Sequence, residues 1–115
     1  MSLILVCGGR EFNNWRLVHA VLDSALKKFA NIRLMIGGAK GADQLADNWA
    51  KSREVECLRI PARWSIYGKA AGPIRNKTML DEKPDLVIAF PGGPGTQHMI
   101  RVAKDAGIQV VEVRR

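Results

Sequence analysis

The sequence predicts one α/β domain in which helices cover both faces of a five-stranded parallel sheet. Two observations support this: short apolar β-rich runs alternate with helical segments, and three of the runs end in glycine-rich loops. Strands joined through single helices run parallel, and right-handed crossovers favour the strand order 3-2-1-4-5. The 115 residues, 47% of them hydrophobic, suit a single domain spanning 1–115. The expected fold is a doubly wound, Rossmann-like sheet.

The first half of the chain supplies three predicted strands and two helices. Apolar residues recur at helical spacing from Val18 to Phe29, which predicts an amphipathic helix. A second helix buries Leu45 and Trp49 on one side. In chain order, the predicted elements are a strand at 3–7, a helix at 15–29, a strand at 33–36, a helix at about 43–53 and a strand at 55–60.

The second half supplies two helices and two strands. Pro73 after Gly72 is typical of a helix start, and Gly107 closes the last helix. The segment before Gly72 is predicted to be a loop. Its Trp64 and Tyr67 either stack on a nucleobase or close the core, and for Trp64 the core is favoured. The predicted elements are a helix at 73–82, a strand at 85–90, a helix at 96–106 and a strand at 109–113.

The amino-acid composition bears on the cellular location of the protein and on the class of partner that it binds. Eighteen Lys and Arg against 11 Asp and Glu give a formal net charge of +7, which favours phosphorylated or polyanionic partners. Cys7 and Cys57 lie in separate apolar runs and are expected to be reduced thiols. No run approaches the ~20 apolar residues that span a bilayer. We therefore expect a cytoplasmic protein with no membrane partner.

Three predicted strands end in loops that are almost free of side chains. The carboxyl ends of parallel strands share one edge, and strands one and four flank the switch point where a ligand crevice opens. Glycine exposes backbone N–H groups, which bind anions together with helix N-termini. The spacing matches neither a Walker loop nor the dinucleotide fingerprint. The predicted phosphate-binding positions are Gly8, Gly9 and Arg10, then Gly37, Gly38 and Gly41, then Gly92, Gly93, Gly95 and Thr96.

Polar side chains near this edge supplement the glycines. Arg75 is predicted in the first turn of its helix, where a bound anion would offset its conflict with the helix dipole. Arg75 and Arg10 are the preferred anion ligands, ahead of other loop cations. Asn76 either bonds a sugar hydroxyl or caps its helix. Thr96 either caps the last helix or donates to the anion. The other loop cations at this edge are Lys40, Arg63 and Lys69.

Two carboxylates at the same edge are candidate catalytic acids. Asp43 either caps its helix or acts as an acid or ribose ligand, and Glu11 is either solvated or takes such a role. His19 and His98 are expected to be structural. No cluster of metal-ligating residues is present in the pattern, although Mg²⁺ bound together with a nucleotide stays open.

Four stretches resemble a known family: GGREF, GGAKGADQLADNWAK, YGKAAGPIRNKTM and AFPGGPGT. Together they look like the YspA/cpYpsA-related branch of the SLOG superfamily, which includes the Rossmann domain of DprA and the LOG-type phosphoribohydrolases. The resemblance implies a domain that binds nucleotides or nucleotide-derived ligands, often as a homo-oligomer such as a dimer or tetramer. By analogy, residues 91–96 would cradle a phosphate and Arg75 would match the phosphoribohydrolase arginine.

The chain departs from the phosphoribohydrolases at one position that bears on function. Their catalytic glutamate lies three residues beyond the motif threonine, where this chain has Met99. The first hypothesis is therefore a sensor or binding module for a phosphorylated, nucleotide-derived ligand. The alternative is a nucleotide hydrolase using Arg75 with Glu11 or Asp43. The second alternative is DprA-like binding of single-stranded nucleic acid, which the net charge favours.

Overall fold

The computed structural model describes residues 2–114 and confirms the predicted α/β fold. Five parallel strands pair in the order β3-β2-β1-β4-β5. None of the helices among residues 2–114 combines the length and apolar character needed to cross a bilayer. The elements are β1 (Ser2–Cys7), α1 (Trp15–Lys28), β2 (Ile32–Ile36), α2 (Ala42–Ser52), β3 (Cys57–Arg59), α3 (Trp64–Tyr67), a 3₁₀ turn (Gly68–Ala70), α4 (Ala71–Asp81), β4 (Leu86–Ala89), α5 (Pro94–Asp105) and β5 (Val110–Glu112).

Strand β1 lies at the centre of the sheet and serves two hydrophobic cores. Because successive side chains of a strand point to opposite faces, Ile4 and Val6 enter one core while Leu3 and Leu5 enter the other. Helices α1 and α2 cover the first core, and α4 and α5 cover the second. The chain therefore changes faces between β1 and β4, which is the predicted switch point.

The segment between β3 and α4 differs from the prediction. It was expected to be a loop, but it forms α3 and the 3₁₀ turn, so the helical backbone reaches Ala71 before Pro73. Helix α3 is only four residues long and none of them is buried, so the segment is too short to show the apolar periodicity that predicts a helix. Strand β3 begins later than predicted because the Val55 N–H bonds back to the Ala50 carbonyl of α2.

The first glycine loop joins the other two through the peptide groups of Gly9. Its N–H donates to the Pro91 carbonyl at 2.9 Å, and its carbonyl accepts from the Ala42 N–H at 3.1 Å. Glycine at position 41 has φ +74°, and a Cβ there would collide with the carbonyl oxygens of Gly9 and Arg10. The three loops thus form one hydrogen-bonded unit at the carboxyl edge of the sheet.

This close contact predicts unequal costs for adding a methyl group at two glycines that share a positive φ. Gly41→Ala is expected to lower the free energy of unfolding by about 3 kcal/mol, because it combines backbone strain with a steric collision. Gly107→Ala is the control, since Gly107 has φ +77° and no atom within 4 Å of an added Cβ; its cost should be about 1 kcal/mol. Urea unfolding of both variants measures the difference, and equal costs would contradict the loop contact.

Candidate functional site

A cavity of about 1040 Å³ opens at the carboxyl edge of the sheet, between the three glycine loops and α4. The structure brings most of the predicted site residues to its wall. Glu11, Gly41 and Gly92 are absent from the cavity lining. The predicted residues that line it are Gly8, Gly9, Arg10, Gly37, Gly38, Asp43, Arg75, Asn76, Gly93, Gly95 and Thr96.

The glycines of the loops divide into two groups by what surrounds them. At Gly8 and Gly92 a Cβ would meet neighbouring loop or helix atoms, so these positions are glycine because segments pack closely there. At Gly93 and Gly95 an added Cβ would meet nothing within 4 Å. Gly93 and Gly95 line the cavity, so packing does not explain the missing side chains.

The N-terminus of α5 presents free backbone donors beside the cavity. The helix begins at Pro94 after the N-cap Gly93, and no side chain caps it. The first intrahelical bond here runs from the Gln97 N–H to the Gly93 carbonyl, which leaves the amides of Gly95 and Thr96 without an intrahelical partner. Thr96 is therefore the third residue of the helix rather than its cap, and it is buried.

Arg75 crosses the cavity wall from α4 to the end of β2. Since α4 begins at Ala71, Arg75 lies beyond the predicted first turn. Its Nη1 donates to the Gly37 carbonyl at 3.3 Å, and its Nε donates to the Asn76 Oδ1 at 3.0 Å. A Cβ at Gly37 would collide with Nη1, so any other residue there would displace the guanidinium from its present position. Nη2 makes no hydrogen bond within residues 2–114, which leaves donors for a ligand.

Asp43 is a buried carboxylate in the cavity wall, with 6% of its surface exposed. Its Oδ2 accepts from the Ala39 N–H at 3.2 Å, and the N-cap position of α2 belongs to Gly41. Burial raises the pKa of Asp43 to about 6, against the opposing effects of the Ala39 N–H and of Arg75. Burial also disfavours the charged form of Arg75 and so lowers its pKa, whereas the negative charge of Asp43 raises it.

Asn76 is buried between two side chains and does not cap α4. Its Oδ1 accepts from Arg75 and its Nδ2 lies 2.9 Å from the His98 Nδ1. His98 also lines the cavity, although the sequence pattern favoured a purely structural role for it. The sequence signal for this placement is the spacing of three residues between Gly95 and His98, which puts both residues on one side of α5.

The outer wall of the cavity contains an exposed aromatic ring. Trp64 lines it with 52% of its surface exposed, so the expectation that this ring closes the core is wrong. Tyr67 is exposed and lies outside the lining. The loop cations other than Arg10 also lie outside the lining, and they are Lys40, Arg63 and Lys69.

Both cysteines are free thiols. Cys7 lines the cavity, and burial, followed by the Asp43 charge, raises the pKa of its thiol to about 12. Such a thiol stays protonated at neutral pH and is a poor nucleophile. Within residues 2–114, no group of three or more His, Cys, Asp or Glu side chains is arranged to hold a metal ion.

The burial of Asp43 predicts a pH-dependent effect of Asp43→Asn on stability. The carboxyl has a folded-state pKa of about 6, above the ordinary 3.8. The folded state therefore holds its proton more tightly, and stability falls as pH rises from about 4 to 6. The neutral variant escapes this loss, so at pH 7.5 it should be more stable than the wild type by about 1–3 kcal/mol.

Chemical unfolding at pH 4 and pH 7.5 measures this effect. The advantage of Asp43→Asn should shrink toward zero at the lower pH. Glu11→Gln, on an exposed residue, is the control and should change the free energy of unfolding by less than about 0.5 kcal/mol at both values. A variant less stable than the wild type at pH 7.5 would contradict the proposed cost of the buried charge.

The chain is a Rossmann-like α/β domain with a cavity at the topological switch point. The model of the YspA, cpYpsA-related SLOG family matches residues 3–67. The Gene 61 protein of Mycobacterium phage D29 is 34% identical over 119 residues, which cover 96% of this chain and 95% of that protein. The chain belongs to the YspA, cpYpsA-related SLOG family.

Solved structures with low sequence identity share the fold. The C-terminal domain of the PF1911 hydrogenase from Pyrococcus furiosus has a TM-score of 0.57 at 15% identity, over 97% of this chain and 91% of that domain. MurG from Acinetobacter baumannii has a TM-score of 0.60 at 15% identity, over 97% of this chain and 34% of that one. A UDP-N-acetylglucosamine 2-epimerase has a TM-score of 0.58 at 18% identity, over 98% of this chain and 33% of that one. At these identities the similarity extends to the fold alone.

Proposed function

We propose that this protein binds a nucleotide or nucleotide-derived phosphorylated small molecule in the cavity and acts as a sensor or binding module. The observation that carries the proposal is the uncapped N-terminus of α5 in the same cavity as the open donors of Arg75. Family membership and the Rossmann-like fold fit a nucleotide-related module. The volume of about 1040 Å³ is at the upper end of ordinary small-molecule pockets and gives room for a nucleotide.

The phosphate is assigned to the end of the cavity formed by α5 and Arg75. The amides of Gly95 and Thr96 offer backbone donors, and the positive end of the helix dipole favours an anion. The missing side chains at Gly93 and Gly95 let phosphate oxygens approach the backbone. The guanidinium adds charge-assisted hydrogen bonds, which are roughly twice as strong as neutral ones.

The base is assigned to the outer wall, where Trp64 offers an exposed ring. Stacking of a base on an aromatic side chain contributes about 1–3 kcal/mol and tolerates any base. Any Mg²⁺ would enter with the phosphates, and Asp43 is the one carboxylate among the lining residues that could contact it.

Titration calorimetry with nucleoside mono- and diphosphates, ADP-ribose and cyclic nucleotides tests the proposal. Arg75→Ala should weaken binding of the probe that the wild type binds by about 1.5–3 kcal/mol, because it deletes a charge-assisted hydrogen bond. Arg101→Ala is the matched control, since Arg101 is exposed on α5 outside the cavity lining. It should leave affinity nearly unchanged.

Two outcomes would contradict this assignment. If the folded wild type binds none of the probes at millimolar concentration, the proposed function is wrong. If both arginine variants lose the same affinity, net charge rather than the Arg75 contacts governs binding.

A second candidate function, hydrolysis of an N-glycosidic or phosphoester bond in the bound nucleotide, is favoured by Asp43. A carboxyl with a pKa near 6 inside a cavity suits general acid–base catalysis at neutral pH. Free base or inorganic phosphate should then appear on incubation with nucleotides. Asp43→Asn should abolish product formation, whereas Glu11→Gln, outside the cavity, should not. Product formed equally by the wild type and Asp43→Asn would rule out this role for Asp43.

Two further proposals concern assembly and location. We propose a homo-oligomer, dimer or tetramer, because Ile66 and Tyr67 of α3 leave apolar surface exposed beside Trp64. We also propose a cytoplasmic location, which the two free thiols favour. Native mass spectrometry of the purified protein reports the oligomer mass and any co-purifying nucleotide together.

Binding of single-stranded nucleic acid stays a lesser candidate, supported by the net charge of +7 and by the Arg16 guanidinium stacked 4.8 Å from the centre of the exposed Trp15 ring. A filter-binding series across salt concentrations distinguishes it, because strand binding weakens steeply with salt and occludes several nucleotides.

A further inference from the structure

Three polar side chains on α4 and α5 form a continuous chain of hydrogen bonds along the cavity wall. The Arg75 Nε donates to the Asn76 Oδ1 at 3.0 Å, and the Asn76 Nδ2 lies 2.9 Å from the His98 Nδ1. All three residues line the cavity, and Asn76 is 4% exposed. The middle member of the chain therefore has little freedom to exchange these partners for water.

The chemistry of arginine fixes the direction of every bond in this chain. A guanidinium has only donors, so the atom of Asn76 that faces Nε must be the acceptor Oδ1. The other end of the amide is then the NH₂ group, which has only donors to offer His98. The His98 Nδ1 must accept, and an imidazole that accepts at Nδ1 carries its single proton on Nε2.

The two alternative arrangements are a rotated Asn76 amide and a protonated His98 Nδ1, and each would place two hydrogen-bond donors against one another with no acceptor between them. Rotating the Asn76 amide by half a turn would place its NH₂ against the Arg75 Nε–H. An imidazolium at His98 would place an Nδ1–H against the Asn76 NH₂. A buried amide that loses an acceptor incurs the desolvation cost of an unmade hydrogen bond. Arg75 thus selects the neutral Nε2–H form of His98 through Asn76.

The Nε2–H of His98 has no protein acceptor within the described part of the chain. His98 follows Gly95 by three residues, so both lie on the same side of α5, and both line the cavity. A neutral donor at this place suits a phosphate oxygen.

We propose that His98 is a ligand-binding residue that donates its Nε2–H to the phosphate of the bound molecule, and that Asn76 is the positioning residue that fixes its tautomer. The proposal rests on the function proposed above for the ligand contact, whereas the tautomer is a property of the protein alone. Lysine or arginine would add another charge next to Arg75, while a neutral imidazole adds a directional donor without one.

The tautomer is measured by long-range ¹H–¹⁵N correlation spectra of the labelled, ligand-free protein at pH 7.5, with His19 as the internal reference. Wild-type His98 should show a protonated Nε2 and an unprotonated Nδ1. Asn76→Asp replaces the NH₂ group by an acceptor of the same shape, so Nδ1 should become protonated. Asn48→Asp, on an exposed residue of α2, is the control and should leave the spectrum unchanged. A protonated Nδ1 in the wild type would overturn the proposal.

The ligand contact is measured by titration with ADP. His98→Met removes the donor and should weaken binding about tenfold, the size of one hydrogen bond. His98→Gln can place an amide N–H where Nε2–H was and should bind within about threefold of the wild type. Equal affinities for His98→Met and the wild type would overturn the contact. Failure of the wild type to bind any nucleotide probe would overturn the contact together with the proposed function, while the spectra would still decide the tautomer.

Discussion

The backbone hydrogen bonds of Gly9 are the constraint on which the architecture of the candidate site depends. Through its N–H and its carbonyl, Gly9 joins the loop after β1 to the loop after β4 and to the start of α2. Those segments are far apart in sequence, and the sheet alone would bring only their strand ends together. The hydrogen bonds of Gly9 hold the loops at a fixed separation, with Gly41 and Gly92 allowing the close approach. The protein's own backbone contacts therefore form the cavity, which would reduce the entropic cost of binding the proposed ligand.

The charged groups of the site are arranged around Gly37, the residue that follows β2. A Cβ at this position would lie against the guanidinium of Arg75 and 3.2 Å from the Asp43 Oδ2. The two side chains form no direct ion pair within residues 2–114. Each is instead held by backbone groups, so neither charge neutralises the other through shared hydrogen bonds. The phosphate of the proposed ligand could therefore reach donors of Arg75 without first breaking a salt bridge.

Glycine-rich loops are commonly interpreted as ligand sites, but here close packing accounts for some of the glycines without any ligand. Gly8, Gly41 and Gly92 are explained by contacts between protein segments, whereas Gly93 and Gly95 face open space in the cavity. The sequence alone assigns all of them the same role, because it does not distinguish a glycine required by close packing from a glycine that faces a cavity. Similarly, Glu11 and Asp43 look equivalent in sequence, but one is exposed outside the cavity and the other is buried in its wall.

The sequence by itself determined the order of strands, the number of long helices and the meeting of three loops at one edge. These follow from hydrophobic periodicity, from short connections and from the handedness of crossovers, all of which are local properties of the chain. Tertiary structure decided the rest. The contact between Arg75 and Gly37 joins residues 38 positions apart, and the one between Asn76 and His98 joins two helices. Burial of Asp43, exposure of Trp64 and the tautomer of His98 depend on such contacts, which no local pattern encodes.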